Sequence, residues 1–173
     1  MKRFFVLSAV VLMFCVGLTG ISFGDDDIQK FPTCKYCGMN RQQYAHSRIL
    51  IEYDDGTSLG TCSIHCAAVE LALQIDKTPA AIKVGDFGSK TLIDAEKAFW
   101  VMGGNKMGVM TARAKWAFEK KEDAEKFISA NGGVLADFDQ VIKASYEDMY
   151  ADTKKIRERR KAKRMKMMEE KKK

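Results

Sequence analysis

The sequence predicts an α+β fold: two small ββα-type units forming one compact body, followed by a basic helical or disordered tail. Three observations carry that expectation. Apolar and polar residues alternate through 48–62, and two short strand-like runs follow at 81–87 and 90–95. Helical spacing occurs once in each half, at 63–76 and at 120–133. Past Lys154 the chain is polar on every side, which leaves no stripe to pack against a core. The 173 residues suit one domain or two small ones sharing a core, and 46% hydrophobic residues suffice to fill it.

The elements are justified in order. Lys2 and Arg3 precede an apolar run from Phe4 to Phe23, and Ser22 and Gly24 supply small residues before "DDD". Residues 1–24 therefore read as a secretory signal. The run approaches the roughly 20 residues that span a bilayer, so an uncleaved anchor is the alternative. A lipid anchor on Cys15 ranks third, because Phe14 is bulky where a lipobox wants a small residue. Each version exports the rest of the chain, to the periplasm or to the periplasmic face of a membrane.

Residues 25–142 form the expected body, with a first unit at about 32–78 and a second at about 80–142. Residues 25–33 read as a polar leader. In "RILIEY" (48–53), Ile49, Ile51 and Tyr53 share one face. "DDG" at 54–56 is a hairpin turn signal, and "TSLGTC" is the partner strand. Ile64, Ala67, Ala68, Leu71 and Ile75 then recur at helical spacing, with Thr61 or Ser63 as the cap. In the second unit, "EKAFWVMGG" is a short helix or extended segment before a Met- and Gly-rich loop. "ARAKWAFE" (112–119) reads as a strand, and 120–133 as a helix ended by Asn131-Gly132-Gly133. Helical pattern resumes at Phe138, and 143–173 is the basic tail.

Charge is unevenly placed. Residues 154–173 hold twelve Lys/Arg against three Asp/Glu, a net +9, in a chain whose total is +6. With Lys2 and Arg3 set aside, 25–153 carries −5. The high pI belongs to the tail, so the body is not read as a nucleic-acid binder. The tail reads as a solvated helix or disordered segment. Its sharper reading is contact with an acidic partner or an anionic membrane surface. Met165, Met167 and Met168 there are weak soft-metal candidates.

Chemistry concentrates in "CKYCGM" at 34–39 and "CSIHC" at 62–66. A disulfide within either short pair would constrain little of the unfolded chain. Cys34 and Cys37 before a hairpin, with Cys62 and Cys66 after it at a helix start, match the treble-clef plan of small zinc modules. One helical turn separates Cys62 from Cys66, and His65 between them offers an imidazole. A structural zinc site is one reading. Thioether ligands favour Cu(I) over zinc, and Met39, Met102, Met107 and Met110 stand near glycines rather than in helical apolar stripes. A soft-metal site is therefore the second reading, although single methionines usually fill core. A dithiol redox site is the third. It lacks the strand-then-helix context that a thioredoxin-like pair needs. No hydrolase, zincin, P-loop or dinucleotide fingerprint occurs.

"CKYCGM", the "DDG" hairpin, "DAEKAFWVMGG", the Met/Gly loop and "KWAFEKKEDAEKFISANGGVLADFDQV" together resemble the NosL family, accessory proteins of nitrous oxide reductase assembly. The resemblance runs over about 32–142. It implies an exported Cu(I)-binding chaperone built from two ββα-type units, not an enzyme. It implies Cu(I) ligation by Cys34, Cys37 and Met39, with Met107 and Met110 secondary, and a cuproenzyme client. Cys62, His65 and Cys66 are then further ligands or a separate site, since "CSIHC" looks like half of a treble-clef heavy-metal module. Copper delivery is preferred over a structural zinc interaction module, and a thiol–disulfide oxidoreductase comes last.

Overall fold

The computed structural model describes residues 26–172. The expected signal or anchor at 1–24 lies outside the described residues. Among the described residues, no helix is long and apolar enough to cross a membrane.

Among the described residues, seven strands and four helices form an α+β body with two sheets. The first hairpin joins β1 (Ile49–Tyr53) to β2 (Ser58–Thr61), with Ile49 opposite Thr61 and Glu52 opposite Ser58. Gly56 takes a positive φ of 79° in its turn, a conformation glycine adopts without a Cβ penalty. Helix α2 (Ile64–Leu73) follows at once, and its N-cap is Ser63. The Ser63 side chain makes no cap hydrogen bond, so the expected capping chemistry is not used there.

Strands β3 (Pro79–Gly85) and β4 (Leu92–Asp94) were grouped by sequence with the second unit, yet they complete the first sheet in the order β2-β1-β3-β4. The apolar partners explain this: Ile82 and Val84 face Ile51 and Ile49 across the β1–β3 ladder. The second sheet is β5 (Phe99–Met102) between β6 (Lys115–Phe118) and β7 (Val134–Ala136). The "EKAFWVMGG" segment is thus extended at its centre. Helix α3 (Lys121–Asn131) covers this sheet and stops at Gly132, φ 72°.

Two elements escaped the sequence reading. Helix α1 (Asp26–Lys30) lies in the stretch read as a polar leader. β7 follows Gly132-Gly133 directly. Helix α4 (Phe138–Glu170) opens with a capping box between Asp137 and Gln140, then runs 33 residues, well past the body. Its final part is helical and exposed.

The core falls into two clusters. One gathers Ile49, Ile51, Ile64, Val84, Trp100 and Val141 between the first sheet, α2 and α4. The other packs Val101, Trp116, Phe118 and Phe127 around Cys34, Cys62 and Cys66. Both tryptophans are buried. Asp86 and Asp94 serve turns, each accepting two backbone N–H groups through Oδ1.

Candidate metal centre

The first cysteine pair sits on a small closed loop. Cys34 N–H donates to Met39 O and Gly38 N–H to Cys34 O, both at 2.9 Å, while Thr33 bridges Asn40. Gly38 takes φ 74°, which lets the chain reverse and aim both thiols the same way. Cys62 directly follows β2, and Cys66 lies in the first turn of α2. The hairpin therefore returns the second pair to the first. All four Sγ atoms lie within 4.8 Å of one another. Cys37 and Cys62 Sγ are 3.4 Å apart, and Cys62 and Cys66 Sγ are 3.8 Å apart. Tetrahedral thiolates at a metal–sulfur length of about 2.3 Å would be spaced about 3.8 Å apart, so this set needs little movement to close on one ion.

The four thiols differ. Cys34, Cys62 and Cys66 are buried, and Cys37 is only half-buried. Hydrogen bonds from Cys37, Cys62 and Cys66, in that order of strength, hold Cys34 far below the usual thiol range. Hydrogen bonding toward Cys34, then toward Cys37, pushes Cys62 and Cys66 far up, and burial adds to it. Cys37 is lowered as well, since Cys34 pushes it up but hydrogen bonds from Cys62 and Cys66 outweigh that, so the C-x-x-C loop is the side of the cluster that favours thiolate.

A polar cradle fixes the first loop to α2. Glu70, one turn beyond Cys66, accepts from the Tyr36 and Tyr53 hydroxyls and from Lys35 Nζ. Burial first, and Glu70 second, hold both tyrosines above the ordinary phenol range. A second buried network ties α1 to the hairpin. Arg41 and Arg48 both donate to the Asp27 carboxylate, at 2.7 and 3.0 Å. Arg41 also donates to the carbonyls of Asp27, Phe31, Ile49 and Thr61.

The other sequence-predicted residues separate into two places. Met39, Met107 and Met110 line one cleft of about 510 Å³, together with Tyr44, His46, Trp116 and Asp152. Met39 and Met110 also pack against the cysteine-bearing core cluster, so the cleft adjoins the thiols. Met107 is 82% exposed. Met110 is held at φ 63°, a strained conformation for a side chain with a Cβ. His65 is not brought to the thiols: among the described residues, the cluster that could hold an ion comprises the four cysteines alone. Its Nδ1 instead faces Asp152 Oδ2 on α4 at 3.7 Å, and neither atom has a hydrogen-bond partner. Burial keeps the imidazole below its ordinary range against the pull of Asp152. Met165, Met167 and Met168 are exposed on α4.

Sequence reasoning missed His46, whose ring lies 5.5 Å from Trp116 and 5.8 Å from Phe87. It also missed that α4 reaches the site. Lys155, Ile156 and Arg159 line the methionine cleft, and Arg160 donates to Cys37 O at 3.1 Å. No local signal marks either placement. Both follow from tertiary packing.

Residues 26–146 match the family described as NosL. The chain belongs to the NosL family. Among solved structures, it is similar to the copper chaperone NosL from Shewanella denitrificans, at 25% identity and a TM-score of 0.49, over 62% of this chain and 87% of that one. None of the curated proteins compared matches the chain. The family match ends within α4, so the helix beyond residue 146 lies outside it.

Proposed function

We propose that this NosL-family chain is a Cu(I) carrier that gives up its ion by ligand exchange to a cuproenzyme, such as nitrous oxide reductase, on the far side of the inner membrane. One observation carries the reading: four convergent thiols of which only Cys37 is half-exposed, beside a cleft lined by Met39, Met107 and Met110. Thiolates hold Cu(I) tightly, and neutral thioethers suit Cu(I) while offering zinc little. An ion bound near Cys37 can be met by an incoming ligand without opening the core. Met39 is a primary ligand in this account, and Met107 and Met110 receive the ion as it leaves. His65 acts as a support of α2, not as a ligand. No oxidation or bond cleavage is required, so the chain is not read as an enzyme.

A second reading has its own observation. The convergence of all four Sγ atoms within 4.8 Å and the burial of three thiols also suit a closed structural zinc site. An anaerobic Cu(I) titration against a coloured chelator, with and without saturating zinc, separates the two. The carrier reading expects one copper per chain that resists zinc, and a loss of affinity in Cys37→Ser and Met39→Leu. If zinc displaces copper, and Met39→Leu leaves copper affinity unchanged, the carrier reading is wrong.

A further inference from the structure

The tail of α4 is basic, but its position relative to the metal centre is a tertiary fact. Asp148 accepts from Arg113 at 2.9 Å and from Lys115 at 2.8 Å, and Asp152 accepts from Ala112 N–H at 2.9 Å. These bonds fix α4 against the loop that precedes β6. The next turns then pass the mouth of the methionine cleft, where Lys155 and Arg159 are lining residues and Arg160 holds the Cys37 carbonyl. On the other side, Lys90 and Lys106 line an adjoining groove that shares His46, Met107 and Trp116 with the cleft. The most accessible thiol of the cluster, Cys37, and the most accessible methionine of the cleft, Met107, therefore lie between two sets of exposed cations. The one acid lining either space is Asp152, which is buried.

That charge does not serve metal capture, because cations at the mouth lower the local concentration of a cationic metal. Nor is it spent on the thiolates alone, since +9 accumulates over 154–173 and continues for turns beyond the cluster. It attracts anions to the point where a ligand exchange must occur. We propose that Lys155, Arg159 and Arg160, with Lys90 and Lys106 opposite, form the docking face for the metal acceptor, a protein that presents its receiving ligands on an acidic surface. The inference rests on the copper-carrier reading and names the chemistry of the partner. α4 supplies the orientation: an acidic face drawn to the helix brings its ligands over Cys37 and Met107.

The test compares Cu(I) transfer from the loaded full chain to two small acceptors, dianionic bathocuproine disulfonate and neutral neocuproine. Three unit charges acting on a dianion at about 10 Å give roughly a fivefold rate effect near 0.1 M ionic strength. Lys90→Gln/Lys106→Gln/Lys155→Gln should slow transfer to the anionic chelator by about that factor and leave the neutral one within about twofold. Lys171→Gln/Lys172→Gln/Lys173→Gln removes the same charge. It starts on the order of 15 Å along the helix from Arg160, beyond one Debye length, and should leave both rates unchanged. In the unaltered chain, raising salt should slow only the anionic acceptor. Equal slowing of both acceptors, an equal effect of the two triple variants, or the absence of salt dependence would overturn the proposal. So would a mouth variant that transfers normally but no longer co-sediments with phosphatidylglycerol vesicles, which would make the helix a membrane contact. A chain that loads no copper at all would instead sink the carrier reading, and the docking face with it.

Discussion

Replacing Glu70 by alanine cuts the tie between the first cysteine loop and the helix that carries Cys66. The carboxylate accepts from the Tyr53 hydroxyl at 3.0 Å, from Tyr36 and from Lys35. Tyr53 is 5% exposed, so its hydroxyl loses its acceptor with little access to water, at about 1–3 kcal/mol. Tyr36 is half-buried and recovers part of its bond from solvent, which leaves about 1 kcal/mol. Loss of the aliphatic stem adds about 1 kcal/mol, and relief of the buried charge offsets part of the sum. The net is about 3 kcal/mol, a fall of roughly 1.5 M in the urea midpoint. Metal affinity should fall on the order of 10–100-fold, the usual effect of releasing a support of a ligand loop. Glu70→Gln keeps one acceptor and one donor and should recover most of both losses. The pH profile gives an independent check. Tyr36 and Tyr53 are raised in the fold, so their contribution is complete below about pH 10 and is lost as pH climbs above it. Glu70→Ala removes one of the causes and should flatten that alkaline loss. Urea unfolding at neutral and alkaline pH, with Cu(I) competition on the same samples, measures all of this. A change under about 0.5 kcal/mol, with affinity intact, would refute the cradle.

Other outcomes follow from the same geometry. Asp27→Ala leaves the buried Arg41 and Arg48 guanidinium groups without their shared carboxylate, and should cost about 3–5 kcal/mol by urea unfolding. Gly85→Ala places a Cβ 2.0 Å from the Ala45 carbonyl oxygen, and should destabilise the β3 register by more than about 2 kcal/mol. Asp148 is raised by burial but held lower overall by Arg113 and Lys115, so its contribution is complete above about pH 4 and is lost as pH falls below it. Amide protection factors across 138–152, corrected for intrinsic exchange, should therefore fall on acidification, and Asp148→Asn should remove much of that pH dependence.

The α+β class and most elements were legible because their signals are local. The alternation of 48–53, the "DDG" turn and the helical spacing of 63–76 each needed only neighbouring residues. The cysteine cluster was legible because a hairpin is the shortest device that returns a chain on itself, and it separates the two pairs. Sheet membership was not, because β3 pairs with β1 across the intervening helix α2. Helix α1 hid in a five-residue polar stretch whose order comes from Asp27 meeting two distant arginines. His65 shows the limit of spacing arguments. It is adjacent to Cys66 in sequence, yet the helix turns its ring toward Asp152. Arg160 is the converse, 123 residues from Cys37 and bonded to it.

The central claim is that the metal is cargo and not a staple. The cluster around Ile49, Trp100 and Val141 includes no cysteine, whereas the cluster around Trp116 holds three, and the carrier reading expects both to stay packed without an ion. Near-UV circular dichroism and thermal unfolding of the chelator-stripped, reduced full chain test this directly, with Trp100 and Trp116 as reporters. The account predicts a persisting tryptophan signal and a single cooperative melt, raised on adding one Cu(I). A metal-free chain that has lost the tryptophan signal and melts without cooperativity, restored by zinc but not by Cu(I), would contradict it.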